Sequence, residues 1–312
     1  MPHPLREYRQ TQWDEQLASH LAARAVEWFA EDLGHECDWT SVGLIGRTAR
    51  SELAVVARRD GVIAGLAAAG IVAGVADPGL EWRPLAADGA AVRAGERVAV
   101  VSGSTRGVLA AEQVLLNMLG RMSGVATATR RLVEAVAGTR CRVYDTRKTV
   151  PGWRLLDKYA VRLGGGWNHR LGLYDAILIK DNHLAALAAE GITPAAAVRR
   201  AREFIARTFP PARSEAMVVE IELDSPVSLA AVLEAEPDVV LLDNMPPATL
   251  AECVAIRDAV RPEVDLEASG GIRLDTVAEI ARTGVDRVST GWPTHDAPWL
   301  DVALDWSGPL GD

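Results

Sequence analysis

From residue 142 onward the sequence repeats one theme six times: a short aliphatic run that stops abruptly at polar residues, then a stretch with helical spacing. The runs are 142–149 (RVYDTRKT), 174–182 (YDAILIKDN), 217–224 (MVVEIELD), 239–245 (VVLLDNM), 264–271 (VDLEASGG) and 287–294 (RVSTGWPT). Parallel strands need a crossover between them, and the crossover helix covers the sheet, so such strands read as near-continuous apolar runs. Between them, 228–234 and 274–283 space their apolar residues helically, with Ser225 and Asp275 placed near the helix starts. The pattern predicts an α/β fold, a reduced barrel of six or seven strands. Its competitor is an open doubly wound sheet, for which the sequence carries no dinucleotide-type glycine fingerprint.

Upstream the pattern changes. Short strands at 53–58 and 92–101 surround an Ala/Gly-rich helix at 61–76 and a turn-rich stretch at 77–96. From 104 to about 122 the spacing is helical, with Leu109, Leu116 and Leu119 on one side. This predicts a smaller N-terminal α+β domain over 1–116, joined by that helix to a barrel domain over 117–312. The 61–76 run falls short of the roughly 20 residues of a membrane span, and the N-terminus is polar and charged, unlike a signal peptide. Cys37, Cys141 and Cys253 are widely separated and odd in number, which suits buried thiols in a reducing cytoplasm. A net charge of -9 argues against general nucleic-acid or anionic-membrane binding, while leaving room for a local basic pocket.

Basic residues number 33, yet only Lys148, Lys158 and Lys180 are lysines, all within one short stretch. Lysine is a compact point charge with movable donors, whereas arginine is a planar fork, so at least two of these lysines are expected to do chemistry that arginine does not. Lys158 is expected on a helix near the pocket rim. The carboxyl ends of parallel strands form the active face of such folds. Those ends collect Arg147, Lys148, Lys180, Glu222, Asp243 and the turn Ser269-Gly270-Gly271, and the connection after the first run adds Gly164, Gly165, Gly166, His169 and Arg170. Arg147, His169, Arg170 and Lys180 make a cationic pocket for a small acid, because charge-assisted bonds to carboxylates are the strong ones. Glu222 and Asp243 suit a hard cation such as Mg2+. The Ser-Gly-Gly turn and Gly291, after the last two runs, stand where barrels bind phosphate, with His295 beside them as a further donor. Together these features point to transfer involving a phosphorylated sugar. His3, His20 and His35 read as surface residues, and His183 as structural or supporting.

Several long blocks carry a family resemblance: AEQVLLNMLGRMSGVAT (111–127), YDTRKTVPGWRLLDKYAVRLGGGWNHRLGLYDAILIKDNH (144–183), EIELDS (220–225), LLDNM (241–245), LEASGGI (266–272) and STGWPTHDAP (289–298). With EDLG (31–34) and RDGVIAGL (59–66), they resemble the quinolinate phosphoribosyltransferase family, also called nicotinate-nucleotide pyrophosphorylase, over nearly the whole chain. The resemblance implies that quinolinate and 5-phosphoribosyl 1-pyrophosphate give nicotinate mononucleotide, pyrophosphate and carbon dioxide, with magnesium. It implies that Arg147, His169, Arg170 and Lys180 grip the two quinolinate carboxylates. Lys148, Glu222 and Asp243 would handle the phosphoribosyl pyrophosphate and its metal, and Ser269, Gly270, Gly271 and Gly291 its 5-phosphate. It also implies a homodimer or larger assembly, the N-terminal domain of one subunit covering the barrel of another.

One departure stands out. Where the family carries an arginine that reaches the neighbouring subunit's substrate, this chain has Gln113. Exchanging a charged for a neutral hydrogen bond removes about 1–2 kcal/mol. Arg106, seven residues earlier on nearly the same helical face, is placed to compensate. Trp167 and Trp292 sit beside site residues, either filling space or reshaping the pocket for another ring. The alternatives to quinolinate transfer are a paralogue acting on another heteroaromatic acid, a catalytically silent ligand-binding member, and a Schiff-base aldolase using Lys180.

Overall fold

The structure, a computed structural model, describes residues 6–309, so His3 lies outside the described residues. In chain order the elements are α1 (Glu15–Leu33), α2 (Trp39–Leu44), β1 (Arg50–Ala57), β2 (Gly61–Val62), α3 (Leu66–Ala76), β3 (Glu81–Pro84), β4 (Ala91–Val92), β5 (Arg97–Ser104) and α4 (Thr105–Ala135). There follow β6 (Arg142–Tyr144), α5 (Arg154–Leu163), β7 (Ile177–Ile179), α6 (Asp181–Ala188), α7 (Pro194–Thr208), α8 (Pro211–Ala216), β8 (Val219–Leu223) and α9 (Leu229–Leu233). The chain ends with β9 (Val239–Asp243), α10 (Pro247–Val260), β10 (Asp265–Ser269), α11 (Val277–Ala281), β11 (Arg287–Ser289), α12 (Trp292–His295) and β12 (Val302–Pro309).

Two compact units share this chain. One comprises Met1–Gln10, Arg131–Thr149 and Gly166–His295; the other comprises Thr11–Arg130, Val150–Gly165 and Asp296–Asp312. The expected 116/117 boundary falls inside α4, and three stretches lie across it: the N-terminal arm in the first unit, and 150–165 and the C-terminal strand in the second.

The first unit holds all six expected runs as a parallel sheet in the order β6-β11-β10-β9-β8-β7. This is chain order around a ring that stays open between β6 and β7, the sheet of a reduced α/β barrel. On the open side of β6, Trp167 makes a single parallel bridge to Tyr144. Its N–H donates to Val143 O at 2.8 Å and its carbonyl accepts from Asp145 N at 3.0 Å. A seventh strand is thus present only as one bridge.

Side chains alternate across each strand. Ile221, Leu223, Val240, Leu242, Leu266, Ala268 and Val288 face outward into an apolar core with the surrounding helices. The opposite face carries Arg142 and Tyr144, Leu178 and Lys180, Glu220 and Glu222, Leu241 and Asp243, Asp265, Glu267 and Ser269, and Arg287 and Ser289. The runs are apolar chiefly on their outer face, and the barrel interior is lined with charge. At its floor Arg287, fully buried, donates to Asp265 Oδ2 at 2.6 Å and to Glu7 Oε1 at 3.1 Å. Arg142 joins Glu7 at 2.8 Å and Asp265 at 3.1 Å, and the Tyr144 hydroxyl donates to Glu7 Oε2 at 2.8 Å.

The second unit is built on a four-stranded antiparallel sheet, β12-β1-β5-β3, with the small β2–β4 pair beside it. Leu21 and Ala25 of α1, Val72 of α3, Leu119 and Met122 of α4, and Leu156 and Ala160 of α5 share its core. The single expected strand at 92–101 is two, β4 and β5, separated by a turn at Gly95 with φ 86°. The expected helix at 61–76 starts only at Leu66, because Gly65 is left-handed at φ 98° and Asp88 Oδ1 accepts from the N–H groups of Gly65 and Leu66 at 2.6 and 2.8 Å. Among the described residues no helix is long and apolar enough to cross a membrane. All three thiols are free; Cys141 and Cys253 are buried as expected, whereas Cys37 is half-buried. His35 is exposed, but His20 is half-buried rather than on the surface.

The floor network yields a stability prediction. Arg287→Met would leave buried Asp265 without its closer counter-charge, with only Arg142 at 3.1 Å remaining, a loss of about 3–5 kcal/mol by analogy with other broken buried pairs. Chemical denaturation should show the midpoint falling accordingly.

Candidate active site at the barrel mouth

The carboxyl ends of the strands surround a cavity of about 580 Å³, into which Arg147, Lys148, His169, Arg170, Lys180, Glu222, Asp243, Ser269, Gly270 and Gly271 all face. Ten of the expected site residues therefore meet in one place. Lys180 directly follows β7; its backbone N–H donates to His183 Nδ1 at 2.9 Å, and its Nζ pairs with the Glu222 carboxylate. His183 is thus structural, fixing the first turn of α6. Asp243 ends β9, and its Oδ2 accepts from Asn244 Nδ2 at 2.7 Å.

Glycine is required at Gly270, which lines the cavity, and at Gly291, which with His295 stands outside its lining. At Gly270, with φ 95°, a Cβ would fall 2.1 Å from Asn244 Oδ1. At Gly291 it would meet the His295 ring at 2.8 Å and Lys148 Cβ at 3.2 Å. Bare backbone at these positions lets N–H groups approach a ligand closely. Gly291 and His295 thereby abut Lys148, whose carbonyl accepts from the Thr294 hydroxyl at 2.7 Å.

The cations face one another with little to balance them. Arg147 Nε is buried without a hydrogen-bond partner among the described residues. Burial, and next the charge of Arg147, hold the Arg170 guanidinium below its ordinary pKa. Arg147, half-buried, and Arg170, buried, line one cavity, a site that an anion would relieve.

His169 is arranged differently from the expectation. Its Nδ1 accepts from the Arg170 backbone N–H at 2.8 Å, so that nitrogen bears no proton. Its Nε2 then carries the hydrogen and turns inward, 3.1 Å from Glu220 Oε2 and 3.6 Å from Glu267 Oε1. Both ring nitrogens are engaged by protein, in a residue that also lines the cavity. The same three residues have their donor atoms within 4.8 Å of one another, close enough to hold an ion. The protonated Nε2 makes them a hydrogen-bonded cluster and a poor metal site. Burial works to raise Glu220, but His169 and the Tyr8 hydroxyl overcome it and hold that carboxyl below its ordinary range. Burial and the charge of Glu220 push Glu267 up to about 7.

Gln113 and Arg106 belong to α4 in the other unit. Gln113 is exposed, donates to Asn117 Oδ1 at 2.7 Å, and lines a separate cavity of about 370 Å³ with Trp28, Trp153 and Trp299. Arg106 does not stand free beside it, because its guanidinium donates to Ile45 O at 2.8 Å and Val42 O at 3.0 Å, closing the end of α2. Lys158 lies on α5 as expected but is fully buried rather than on a rim. Gly164 and Gly165 end α5; a Cβ at Gly164 would stand 2.5 Å from Ala126 O, so Gly164 serves packing, while Gly165 is left-handed at φ 89°. Trp167 packs with Tyr8, Tyr144 and Val239 beneath the mouth, and Trp292 against the outer core. Neither tryptophan lines the cavity. The sequence reading missed Glu220, Glu267 and Tyr8. For the two glutamates a signal existed, acids in mid-strand at the same alternation as the site residues above them.

An α/β barrel whose mouth joins unbalanced guanidinium groups, a glycine rim and two carboxylates is a protein for a small anionic ligand. The chain belongs to the quinolinate phosphoribosyl transferase family: residues 38–123 match that family's N-terminal domain and 125–305 its C-terminal domain. It is 41% identical over 279 residues to the nicotinate-nucleotide pyrophosphorylase [carboxylating] of Mycobacterium leprae, spanning 88% of this chain and 93% of that one. To the probable nicotinate-nucleotide pyrophosphorylase [carboxylating] of Synechocystis it is 38% identical, over 89% of this chain and 90% of that one. The solved nicotinate-nucleotide pyrophosphorylase of Francisella tularensis superposes with a TM-score of 0.85 at 32% identity, covering 96% of this chain and all of the other.

The raised Glu267 carboxyl makes stability depend on pH. The folded state keeps a proton that the unfolded chain releases near its ordinary value of 4.5, so the stability contributed by the protonated form is complete below that value and is lost as pH rises through about 7. Glu267→Gln removes this dependence. The melting temperature of the variant relative to wild type should therefore rise between pH 5 and about pH 7 and level off above it.

Proposed function

We propose that this chain transfers the phosphoribosyl group of 5-phosphoribosyl 1-pyrophosphate to the ring nitrogen of quinolinate, releasing pyrophosphate and carbon dioxide and giving nicotinate mononucleotide for NAD biosynthesis. The observation that carries this reading is one cavity lined by Arg147, Arg170 and Lys180 together with Ser269, Gly270 and Gly271. One half of the mouth wants a compact polyanion, and the other offers bare backbone to a phosphate. Arg147, Arg170 and Lys180 take the two carboxylates, with His169 holding Arg170 in place. Ser269, Gly270, Gly271, Gly291 and His295 receive the 5-phosphate, and Lys148 the pyrophosphate.

Departure of pyrophosphate leaves positive charge on the sugar ring, which nearby carboxylates stabilise electrostatically. Attack by the pyridine nitrogen makes that nitrogen cationic. The adjacent carboxylate can then leave as carbon dioxide, its electron pair held next to the positive nitrogen until a proton replaces it. Glu222 and Asp243 end neighbouring strands and offer hard oxygen donors, a set that fits Mg2+ and would hold it. When bound there, the ion neutralises charge on the leaving pyrophosphate. We further read the chain as cytoplasmic, which its free thiols suit. We also read it as a homodimer or larger assembly in which Gln113 serves a partner's site.

Purified protein with quinolinate, phosphoribosyl pyrophosphate and magnesium should form nicotinate mononucleotide and carbon dioxide in equal amounts; no product would dismiss the reading. Arg170→Ala removes charged hydrogen bonds of about 1.5–3 kcal/mol each, so kcat/KM for quinolinate should fall at least tenfold. The assembly has its own test. Mixing Gln113→Glu with Lys148→Ala subunits should recover turnover that neither variant has alone, and no recovery would mean that each site is complete within one chain.

A further inference from the structure

Residues 6–10 lie outside both segments that match the family, yet they enter the barrel unit and reach the underside of the mouth. Arg6 anchors this arm to Asp238 at 3.1 Å, and Glu7 joins the floor network with Arg142, Arg287 and Tyr144. Tyr8 is buried, its ring stacked on His169 with centroids 4.4 Å apart and planes at 24°. The Tyr8 hydroxyl donates to Glu220 Oε2, the same oxygen that faces His169 Nε2. Gln10 grips the backbone of Asn168 at two points: Nε2 donates to the Asn168 carbonyl at 3.0 Å and Oε1 accepts from its N–H at 2.8 Å. A further bond from Gln10 Nε2 to Tyr8 O at 2.8 Å ties the two arm residues together. Asp145 holds the Asn168 side chain and the His169 N–H, each at 2.8 Å.

The next residue is Arg170, which lines the same cavity as Arg147 and feels its like charge. Like charges push a loop apart, so the stretch that carries Arg170 needs restraint that survives before any anion arrives. Asp145 provides part of it, and the arm, brought from the far end of the sequence, provides the rest.

We propose that Tyr8 and Gln10 are positioning residues: they hold 168–169 so that Arg170 meets the acid substrate in register. The proposal rests on the reading of the mouth as a quinolinate site, and a misplacement of about 1 Å at such a group can cost as much as a hundredfold in rate.

Three full-length variants test it. Tyr8→Phe keeps the stack and removes the hydroxyl, Gln10→Ala removes the backbone grip, and Arg6→Ala loosens the arm only at the floor. Two readouts are followed, deuterium exchange of the 168–170 amides and calorimetric affinity for quinolinate. Tyr8→Phe and Gln10→Ala should speed exchange at least severalfold and weaken quinolinate about tenfold. Their melting temperatures should be no lower than that of Arg6→Ala, which should leave both readouts at wild-type values. Unchanged exchange overturns the proposal, and so does faster exchange with unchanged affinity, since the arm would then be structural only. Should wild-type protein fail to bind quinolinate, faster exchange confined to Tyr8→Phe and Gln10→Ala still upholds the arm's hold on 168–170, and it is the proposed substrate that falls.

Discussion

Charge that cannot reach water governs this barrel. Every strand turns polar groups inward, and an ion in such surroundings is tolerated only beside a partner that neutralises it. At the floor the account closes within the protein: Arg287 and Arg142 stand against Asp265 and Glu7. One layer up, burial and the charge of Glu220 push Glu267 up to about 7. At the mouth Glu222 meets Lys180, but Arg147 and Arg170 line the same cavity as like charges. Balance decreases from floor to mouth, and the imbalance is what a ligand can use. Buried pairs of this kind add little net stability over apolar packing, so their presence is better understood as fixing geometry.

Much of the barrel was legible because its strands alternate with helices and end in chemistry. Lys148, Lys180, Glu222, Asp243 and the Ser-Gly-Gly turn were read from strand ends, and the fold delivers them to one cavity. The layers beneath were not legible for a physical reason. A glutamate in mid-strand lowers the apolar count without announcing which face it takes, and only the register of neighbouring strands shows Glu220 and Glu267 converging on one histidine. Tyr8 and Gln10 were harder still, since their partners lie more than 150 residues away.

Helical periodicity misled at one position. It places Arg106 on nearly the face of Gln113, which is true of the helix, but exposed carbonyls at the end of α2 offer that guanidinium two acceptors. A free helix end competes strongly for a nearby cation. His169 makes the same point for partners: the sequence finds the residue, while only the fold shows that protein groups engage both of its nitrogens.

The path of the chain around α5 has a consequence for how such proteins can be recombined. Between Thr149 and Gly166, both in the barrel unit, the chain leaves to lay α5 into the core of the other unit, where Leu156, Tyr159 and Ala160 are buried. Arg147 and Arg170 thus stand on either side of an excursion whose apolar face has no cover within the barrel's own stretches of sequence. A cut at the α4 boundary does not yield two modules. It strands a greasy helix on one fragment and opens a hole in the other. Chimaeras that exchange the N-terminal portion between relatives should therefore carry 150–165 with it, although that stretch lies in sequence between Arg147 and Arg170.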